Sequence, residues 1–281
     1  MALRFRGAGS LDLAADAVGP WDGPPCLLLH GGGQTRHAWG ETTRALGDAG
    51  FLALTLDQRG HGESDWASDA DYSPDAYVAD LRAVLEQIGR PTALVGASLG
   101  GLASLLAAGE PPGAPCSALV LVDITPRLDP AGRERIGRFM SSNRDGFASL
   151  EDAADAVAAY LPHRPRPADV SGLARNLRLE EDGRYHWHWD PAFVTSNWPP
   201  RKYQQPERYE RAANAVDVPI LLVRGARSEI VSEEAARAFL QAAPSAEYVD
   251  VADAAHMVAG DRNDAFTTAV VEFLRRRVLR D

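Results

Sequence analysis

The sequence has few cysteines and no excess of basic charge. Only two of its 281 residues are cysteine, Cys26 and Cys116, and both lie in or next to apolar runs. This usage argues against a disulfide framework and favours buried, unpaired thiols in a reducing compartment. The formal net charge of -10 makes nucleic acid and an anionic membrane unfavourable partners.

Long hydrophobic runs are also missing. No stretch approaches the roughly 20 apolar residues that a membrane helix requires. The N-terminal stretch MALRFRGAGSLDLAADAV lacks the apolar core of a signal peptide. We therefore expect a cytoplasmic protein whose partner is a small molecule, with no membrane and no nucleic acid involved. The sequence does not indicate an oligomeric state.

Short apolar runs rich in Leu and Val recur along the chain, and most end at Gly, His or Asp. Runs of this kind are typical of strands buried on both faces of a parallel sheet. They are CLLLHGGG (26–33), FLALTLDQRG (51–60), TALVGAS (92–98), SALVLVDITP (117–126) and PILLVRGA (219–226). Amphipathic helical segments lie between or after them, at 73–89, 232–244 and 264–278. The alternation predicts an α/β fold with a doubly wound, mostly parallel sheet.

The stretch 127–216 interrupts this alternation. It has no buried-strand run and is rich in Arg, Ala, Pro and aromatic residues. A gap of this length between two core strands is too long for an ordinary loop. We expect an inserted helical subdomain, with the core formed by 1–126 and 217–281.

Ser98 is the predicted nucleophile. The residues from Gly96 to Gly100 fit the pattern G-x-S-x-G, with a strand before the serine and a helix of small residues after it. This setting is the nucleophile elbow, a strained strand-to-helix turn that lifts the serine hydroxyl above the strand ends. The alternative is that a small serine merely fills a tight turn, and the strand–turn–helix context favours the nucleophile.

A serine hydroxyl is a poor nucleophile without a base, and His256 is the predicted base. In the chain order serine, acid, histidine, the base follows the last strand. EYVDV (247–251) has the pattern of that strand, and His256 follows it. His30 and His61 lie in other glycine-rich turns, where hydrogen bonding within the turn is the preferred interpretation.

Two backbone N–H groups are expected to form an oxyanion hole. Leu99 follows the nucleophile and supplies the first donor. The motif HGGG ends an apolar strand at His30, and its glycines allow close approach of the backbone to a substrate. We predict Gly32 as the second donor, with Gly33 behind it.

Five motifs together resemble the α/β-hydrolase superfamily and occur in that family's order. They are HGGGQTRHAW, DQRGHGESDW, VGASLGG, VDITP and AAHMVAGD. The resemblance implies an α/β-hydrolase fold whose insertion is a helical cap between strands six and seven. It also implies a Ser-His-acid triad, and a structural role for Asp57, Arg59 and His61 in the loop after strand four.

The identity of the acid stays open between two residues. Most family members place it after strand seven as Gly-x-x-Asp, but this chain has Ser228 at that position and Glu229 one residue beyond. Some relatives place the acid after strand six, where this chain has Asp123. A carboxylate at the end of a buried strand needs a partner, because an unpaired buried charge is costly. We favour Asp123 and keep Glu229 as the alternative.

The segment RYHWHWDP (184–191) is the most unusual part of the insertion. As an extended strand, it would direct Trp187 and Trp189 to one side and His186 and His188 to the other. We interpret it as aromatic packing rather than a metal site, because no Cys or acidic cluster accompanies the histidines. Trp187 and Trp189, together with Trp39 from a core loop, are predicted to line an apolar pocket above the nucleophile.

These residues predict a serine hydrolase that cleaves a carboxylic ester or lactone through an acyl-enzyme on Ser98. The substrate is expected to be small and partly hydrophobic, and the chemistry requires no metal or organic cofactor. Hydrolysis of a carbon–carbon bond and cofactor-free perhydrolysis are alternatives on the same triad. A ligand-binding, receptor-like module with little turnover is the alternative from another class.

Overall fold

The protein is built around a central eight-stranded sheet. The structure is a computed structural model, and it describes residues 1–162, 166, 168–197, 205–252, 254 and 264–279. The strands are β1 (Ala2–Arg6), β2 (Asp12–Val18), β3 (Pro25–Leu29), β4 (Leu52–Leu56), β5 (Thr92–Ala97), β6 (Cys116–Val122), β7 (Leu177–Leu179), β8 (Tyr185–Trp187), β9 (Ile220–Gly225) and β10 (Glu247–Val251). Their order across the sheet is β1-β2-β4-β3-β5-β6-β9-β10, and β7 and β8 form a separate two-stranded ribbon.

The parallel part of the sheet confirms the predicted fold class. Each of the five apolar runs contains one strand, and EYVDV forms β10. Strands β4, β3, β5, β6, β9 and β10 are parallel, whereas β1 and β2 are antiparallel additions at one edge. Neither β1 nor β2 is among the predicted strands; the side chains of β1 alternate between exposed and half-buried and so leave no apolar run.

Helices cover both faces of the sheet, as a doubly wound fold requires. They are α1 (Gly40–Asp48), α2 (Pro74–Ile88), α3 (Leu99–Gly109), α4 (Pro130–Ser141), α5 (Leu150–Tyr160), α6 (Pro191–Asn197), α7 (Pro206–Ala215), α8 (Glu233–Ala242) and α9 (Asp264–Val278). Helices α1 and α9 pack on one face, and α2, α3, α7 and α8 pack on the other. Within the described ranges, no helix is both long and apolar enough to cross a membrane.

Local sequence sets the ends of α2, the helix predicted at 73–89. The Ser73 hydroxyl accepts a hydrogen bond from the N–H of Ala76, and Pro74 occupies the first helical position. Gly89 ends the helix in the left-handed conformation, with φ 69°. These signals are local, so the helix is predictable without its neighbours.

The stretch between β6 and β9, called the insertion below, differs from the expected helical cap in two respects. It contains the β7–β8 ribbon as well as helices. In addition, Tyr209, Ala212 and Ala213 of α7 are buried in the same core as α3 and α8. The expected cap, residues 127–216, therefore includes one helix that packs with the core. This helix is α7, whose apolar face fits against α3.

The register of the parallel strands brings four loops to one edge of the sheet. Leu29 of β3 pairs with Gly96 of β5, and Ala97 of β5 pairs with Val122 of β6. Val122 in turn pairs with Val223 of β9. The segments that follow β3, β5, β6 and β9 therefore meet at the carboxyl edge, where ligands bind in open α/β sheets.

Candidate active site

Ser98 lies in a sharp turn between β5 and α3. Its φ of 46° and ψ of -109° form a conformation that non-glycine residues rarely adopt. A Cβ atom on Gly96 would lie 2.5 Å from the carbonyl oxygen of Gly100, and one on Gly100 would lie 2.4 Å from that of Leu29. These distances leave no room for a side chain, so the two glycines are sterically required by the turn.

The backbone N–H groups around Ser98 differ in whether they have acceptors. Ser98 donates to the carbonyl of Val122 at 3.2 Å, and Gly100 donates to that of His30 at 3.2 Å. The N–H of Leu99, in the first turn of α3, has no acceptor among the described residues. Helix N-termini leave such groups unsatisfied, and they are available to an anion.

The glycine loop (residues 31–33) lies beside the serine. A Cβ atom on Gly31 would be 3.5 Å from the Cβ of Ser98. The N–H of Gly31 donates to Oε1 of Gln34 at 3.0 Å, and the N–H of Gly33 donates to Nε2 of His61 at 3.1 Å. Within the part of the chain described, the N–H of Gly32 has no acceptor. Gly33, expected behind Gly32 as a donor, is therefore already engaged.

His30 and His61 are buried, and their hydrogen bonds define their tautomers. The Nδ1 atom of His30 faces the carbonyl of Gly31 at 2.8 Å, while its Nε2 faces the N–H of Gln58 at 3.0 Å. In His61, Nδ1 faces the carbonyl of Arg59 at 3.0 Å. Because a carbonyl only accepts and an N–H only donates, each ring carries its proton on Nδ1. Burial lowers the pKa of both rings, so they are neutral.

His188 of the insertion reaches the same loop with the opposite tautomer. Its Nδ1 accepts from the N–H of Gly62 at 2.8 Å, and its Nε2 donates to the carbonyl of Gly33 at 3.2 Å. Burial lowers the pKa of His188 to about 3. His186 instead pairs with Asp182 at 3.0 Å. Among the described residues, no group of three or more His, Cys, Asp or Glu side chains is arranged to hold a metal ion.

Asp123 lies at the end of β6 and is fully buried, with φ 49°. Its Oδ1 accepts from the N–H of Gly225 at 3.1 Å, and its Oδ2 accepts from the hydroxyl of Ser228 at 2.6 Å. The same hydroxyl oxygen accepts from the N–H groups of Ile230 at 3.3 Å and Val231 at 3.0 Å. These two bonds direct the hydroxyl proton toward Asp123. This contact was not predicted, although a serine at the usual position of the acid is a signal of it in the sequence.

Glu229, the alternative acid, lies at the surface. Its side chain is 46% exposed and forms an ion pair with Arg135 of α4. The structure therefore separates the two candidates, with Asp123 at the buried edge of the sheet and Glu229 in a surface pair. His256, the predicted base, lies outside the described residues.

Aromatic and apolar side chains of the insertion lie over the glycine loop. A Cβ atom on Gly32 would be 3.4 Å from Cζ of Phe193, and one on Gly33 would be 3.1 Å from Cε of Met140 and 3.3 Å from the Trp189 ring. Trp187 stacks on Trp189, with ring centroids 4.8 Å apart. We call the four side chains the aromatic roof; they are Met140, Trp187, Trp189 and Phe193.

Trp39 does not belong to this roof, so its expected place in the pocket is wrong. It is 1% exposed and packs among residues of α1 and α9, on the face of the sheet that these two helices cover. Its ring centroid lies 6.3 Å from that of Phe266. The chain enters α1 directly after Trp39, and this turn carries the indole into the core.

The polar residues of the loop after β4 have mutual partners, which agrees with the structural role that the family resemblance implied. Asp57 accepts from the backbone N–H of Arg36 at 2.6 Å and also pairs with the guanidinium of Arg36. Arg59 donates twice to Asp80, at 2.6 and 2.7 Å. Buried charges are stable when they are paired and hydrogen-bonded in this way.

Comparison with known proteins identifies the class. A family model described as the alpha/beta hydrolase fold matches residues 24–262. The chain therefore belongs to the α/β-hydrolase family. It is 33% identical over 224 residues to Esterase Rv0045c of Mycobacterium tuberculosis, covering 76% of this chain and 70% of that protein.

Two further relatives cover more of the chain. The 3-hydroxybutyrate-oligomer hydrolase of Cupriavidus necator is 26% identical over 254 residues, which are 84% of this chain and 85% of that protein. The crystal structure of E-2-(acetamidomethylene)succinate hydrolase superimposes with a TM-score of 0.83 over 98% of both chains, at 24% identity. This second likeness bears on the fold alone.

Proposed function

We propose that the protein is a serine hydrolase that cleaves a carboxylic ester or lactone of a small, partly hydrophobic substrate. The observation that carries the proposal is the arrangement around Ser98. The serine lies in a strained turn, and the adjacent N–H groups of Leu99 and Gly32 have no acceptor among the described residues. Acyl transfer needs such preorganised donors where negative charge develops.

The proposed reaction begins with attack of the Ser98 hydroxyl oxygen on the substrate carbonyl carbon. His256 accepts the hydroxyl proton, and the N–H groups of Leu99 and Gly32 bind the oxyanion of the tetrahedral intermediate. Collapse of this intermediate expels the alcohol, which takes its proton from His256. Water, activated by the same histidine, then hydrolyses the acyl-enzyme and frees Ser98.

Asp123 is the proposed acid of the triad. It is buried at the carboxyl edge of the sheet, at the end of β6, which is separated from β3 and the glycine loop by β5. It accepts hydrogen bonds from Gly225 and Ser228. Those bonds fix the orientation of the carboxylate. Its role is to hold the histidine in the correct tautomer and to stabilise the imidazolium. Glu229 is less suited, because its carboxylate is engaged by Arg135 at the surface.

The substrate class rests on the relatives and on the aromatic roof. One relative is named an esterase and another a hydrolase of 3-hydroxybutyrate oligomers. The roof lies directly over the glycine loop and presents aromatic and thioether surface there. An acyl group with an apolar portion gains binding free energy from such a surface, by about 25 cal/mol per Å² buried.

A fluorophosphonate probe tests the proposal. We expect stoichiometric labelling of Ser98, read by intact mass and then by the labelled peptide, and turnover of short p-nitrophenyl esters. Ser98→Ala should abolish both signals, and His256→Ala should nearly abolish them. The matched control is Ser245→Ala, which removes the hydroxyl of an exposed serine and should leave both signals unchanged.

Two outcomes would contradict the proposal in different ways. Absence of labelling in protein with a native circular dichroism spectrum would exclude an activated Ser98. Labelling without turnover of any ester or lactone would instead favour a ligand-binding, receptor-like role. A higher kcat/KM for carbon–carbon bond hydrolysis or for perhydrolysis than for the hydrolysis of any ester would change the assigned reaction. Ser98 would remain the nucleophile.

A further inference from the structure

Residues 188–190 connect the insertion to two glycine turns of the core. Nδ1 of His188 accepts from the N–H of Gly62 at 2.8 Å, and Nε2 of His188 donates to the carbonyl of Gly33 at 3.2 Å. The N–H of Asp190 donates to the carbonyl of Gly60 at 2.9 Å. The insertion is therefore hydrogen-bonded directly to the glycine loop and to the turn after β4.

Gly33 is held on both sides by histidines that are distant in the sequence. Its N–H is bound by His61 and its carbonyl by His188. Its φ of 75° lies in the left-handed region that glycine adopts most readily. Three consecutive glycines have little stiffness of their own, so hydrogen bonds must supply the order of this loop.

The order of the loop determines where the Gly32 N–H points. The peptide between Gly31 and Gly32 is fixed at one end, because the Gly31 carbonyl accepts from Nδ1 of His30 at 2.8 Å. The next peptide is fixed at Gly33 by His61, and the one after it by His188. Because a peptide is planar, the bond to the Gly31 carbonyl orients the Gly32 N–H directly, and the two bonds at Gly33 hold the flexible residue that follows it.

We propose that His188 is a positioning residue that holds the glycine loop in its oxyanion-binding geometry. Docking of the insertion on the core and completion of the oxyanion hole are then one event. The inference rests on the proposed function, because it concerns the donor that Gly32 would supply in that reaction. His188 itself need not touch the substrate.

Histidine suits this role because one ring bridges two backbone groups of opposite character. The ring supplies an acceptor for Gly62 and a donor for Gly33 at the same time. Protonation would turn the acceptor into a second donor and break the bond to Gly62. The burial that keeps the ring neutral therefore also keeps the bridge intact.

Two amide substitutions separate the two bonds of His188. The side-chain nitrogen of glutamine reaches the position of Nε2, so His188→Gln keeps a donor to Gly33. The side chain of asparagine reaches only the position of Nδ1, so His188→Asn keeps an acceptor for Gly62 and loses the bond to Gly33. The matched control is His186→Asn, at a histidine that pairs with Asp182 away from the glycine loop.

The readouts are kcat and KM for p-nitrophenyl butyrate, and Ki for an alkyl trifluoromethyl ketone. The ketone forms a hemiketal with the serine, and its oxyanion occupies the proposed hole. We expect His188→Asn to lower kcat by about 10- to 100-fold and to raise Ki by the same factor, with KM unchanged. His188→Gln should stay within about threefold of the wild type in all three constants, and His186→Asn should match the wild type.

Several results would overturn the inference. Equal decreases of kcat in His188→Asn and His188→Gln would show a purely structural role. The same conclusion would follow if kcat were unchanged and KM and Ki rose by the same factor. If His188→Asn does not fold, His188→Gln alone decides, and a folded variant with a kcat reduced more than about threefold would contradict the inference. Failure of the wild type to label with fluorophosphonate would instead mean that the proposed function itself is wrong.

Discussion

The two sides of Ser98 are held by groups of different chemical character. On the oxyanion side, the glycine loop is bound by three buried, neutral histidines, His30, His61 and His188. On the acid side, Asp123 is bound by a backbone N–H and by the hydroxyl of Ser228. The first side depends on rings that must remain uncharged, and the second serves a residue whose proposed role requires a charge. The two sides should therefore fail under different perturbations.

The largest expected effect concerns the acid side. We expect Asp123→Asn to lower kcat by about 10⁴-fold, because the imidazole loses the group that fixes its tautomer and stabilises its charge. Glu229→Gln should leave kcat within about threefold of the wild type, since it removes only an exposed ion pair with Arg135. Ester turnover by both variants is the measurement. A larger loss at Glu229 would move the acid to that residue.

The second expected effect concerns the oxyanion side at low pH. Burial lowers the pKa of His30, His61 and His188, the last to about 3. Below pH 6.5 the unfolded chain takes up protons that the folded chain does not, so the free energy of unfolding falls as the pH falls. His188, with its pKa of about 3, contributes about 1.4 kcal/mol per pH unit in this window, and His30 and His61 change the stability in the same direction.

Urea unfolding at pH 7.5 and 5.5 measures this effect. His188 alone should lower the free energy of unfolding by about 1.4 kcal/mol at the lower pH, and His30 and His61 should add to that loss. His188→Gln should lose about 1.4 kcal/mol less than the wild type over this range, because the His188 ring is gone. A wild-type stability that is independent of pH over this range would contradict the neutral, buried state of the rings.

Ser228 gives a smaller expected effect on the acid side. Ser228→Ala removes the hydrogen bond to Asp123, and a bond to a charged group contributes about 1.5–3 kcal/mol. We expect kcat to fall by about 10- to 100-fold with KM unchanged. Ser228→Thr keeps the hydroxyl and is the matched control. Loss of activity in both variants would indicate steric damage rather than a lost hydrogen bond.

The same position allows the acid to be moved. Because Ser228 contacts Asp123, a carboxylate at 228 would lie on the same side of the site. We expect the double change Asp123→Asn with Ser228→Asp to recover part of the activity that Asp123→Asn loses. No recovery in a folded double variant would show that only the end of β6 can supply the acid.

The smallest expected effect on activity concerns Trp39. Its indole nitrogen has no hydrogen-bond partner among the described residues, and its ring is packed in the core against Phe266. Trp39→Phe should lower the free energy of unfolding by about 1–3 kcal/mol and leave KM unchanged. Trp189→Phe, in the aromatic roof, should raise KM. A raised KM in Trp39→Phe would indicate that Trp39 does line the substrate pocket.

The predictable parts of the molecule are those governed by local steric and burial rules. The apolar runs specify buried strands, and Gly96 and Gly100 specify the turn at Ser98 because no Cβ fits there. The capping serine at position 73 and Gly89 specify the ends of α2. Most of these features depend on neighbours in the sequence, and the close approach of Gly100 to Leu29 recurs wherever this turn follows a strand of a parallel sheet, so the pattern of residue types is sufficient.

The unpredicted parts depend on contacts between distant segments. Trp39 lies in a loop after a strand, yet its side chain turns into the core because α9 offers Phe266 there. Helix α7 lies in the insertion, but its fit against α3 places it in the core. The bond from Ser228 to Asp123 joins residues that are 105 positions apart. No periodicity in the sequence reports such contacts.

By itself the sequence determined the α/β fold class and the turn at Ser98, since both follow from residue volume, backbone freedom and the pattern of apolar residues along short stretches. The tertiary structure decided which N–H groups beside Ser98 have acceptors, because acceptors such as His61 Nε2 and the carbonyl of Val122 are brought there only by the fold of the sheet. It also buried Asp123 and left Glu229 at the surface, because burial is a property of the packed molecule. Hydrogen bonding and burial depend on distances in space, and those distances are fixed only when the chain has folded.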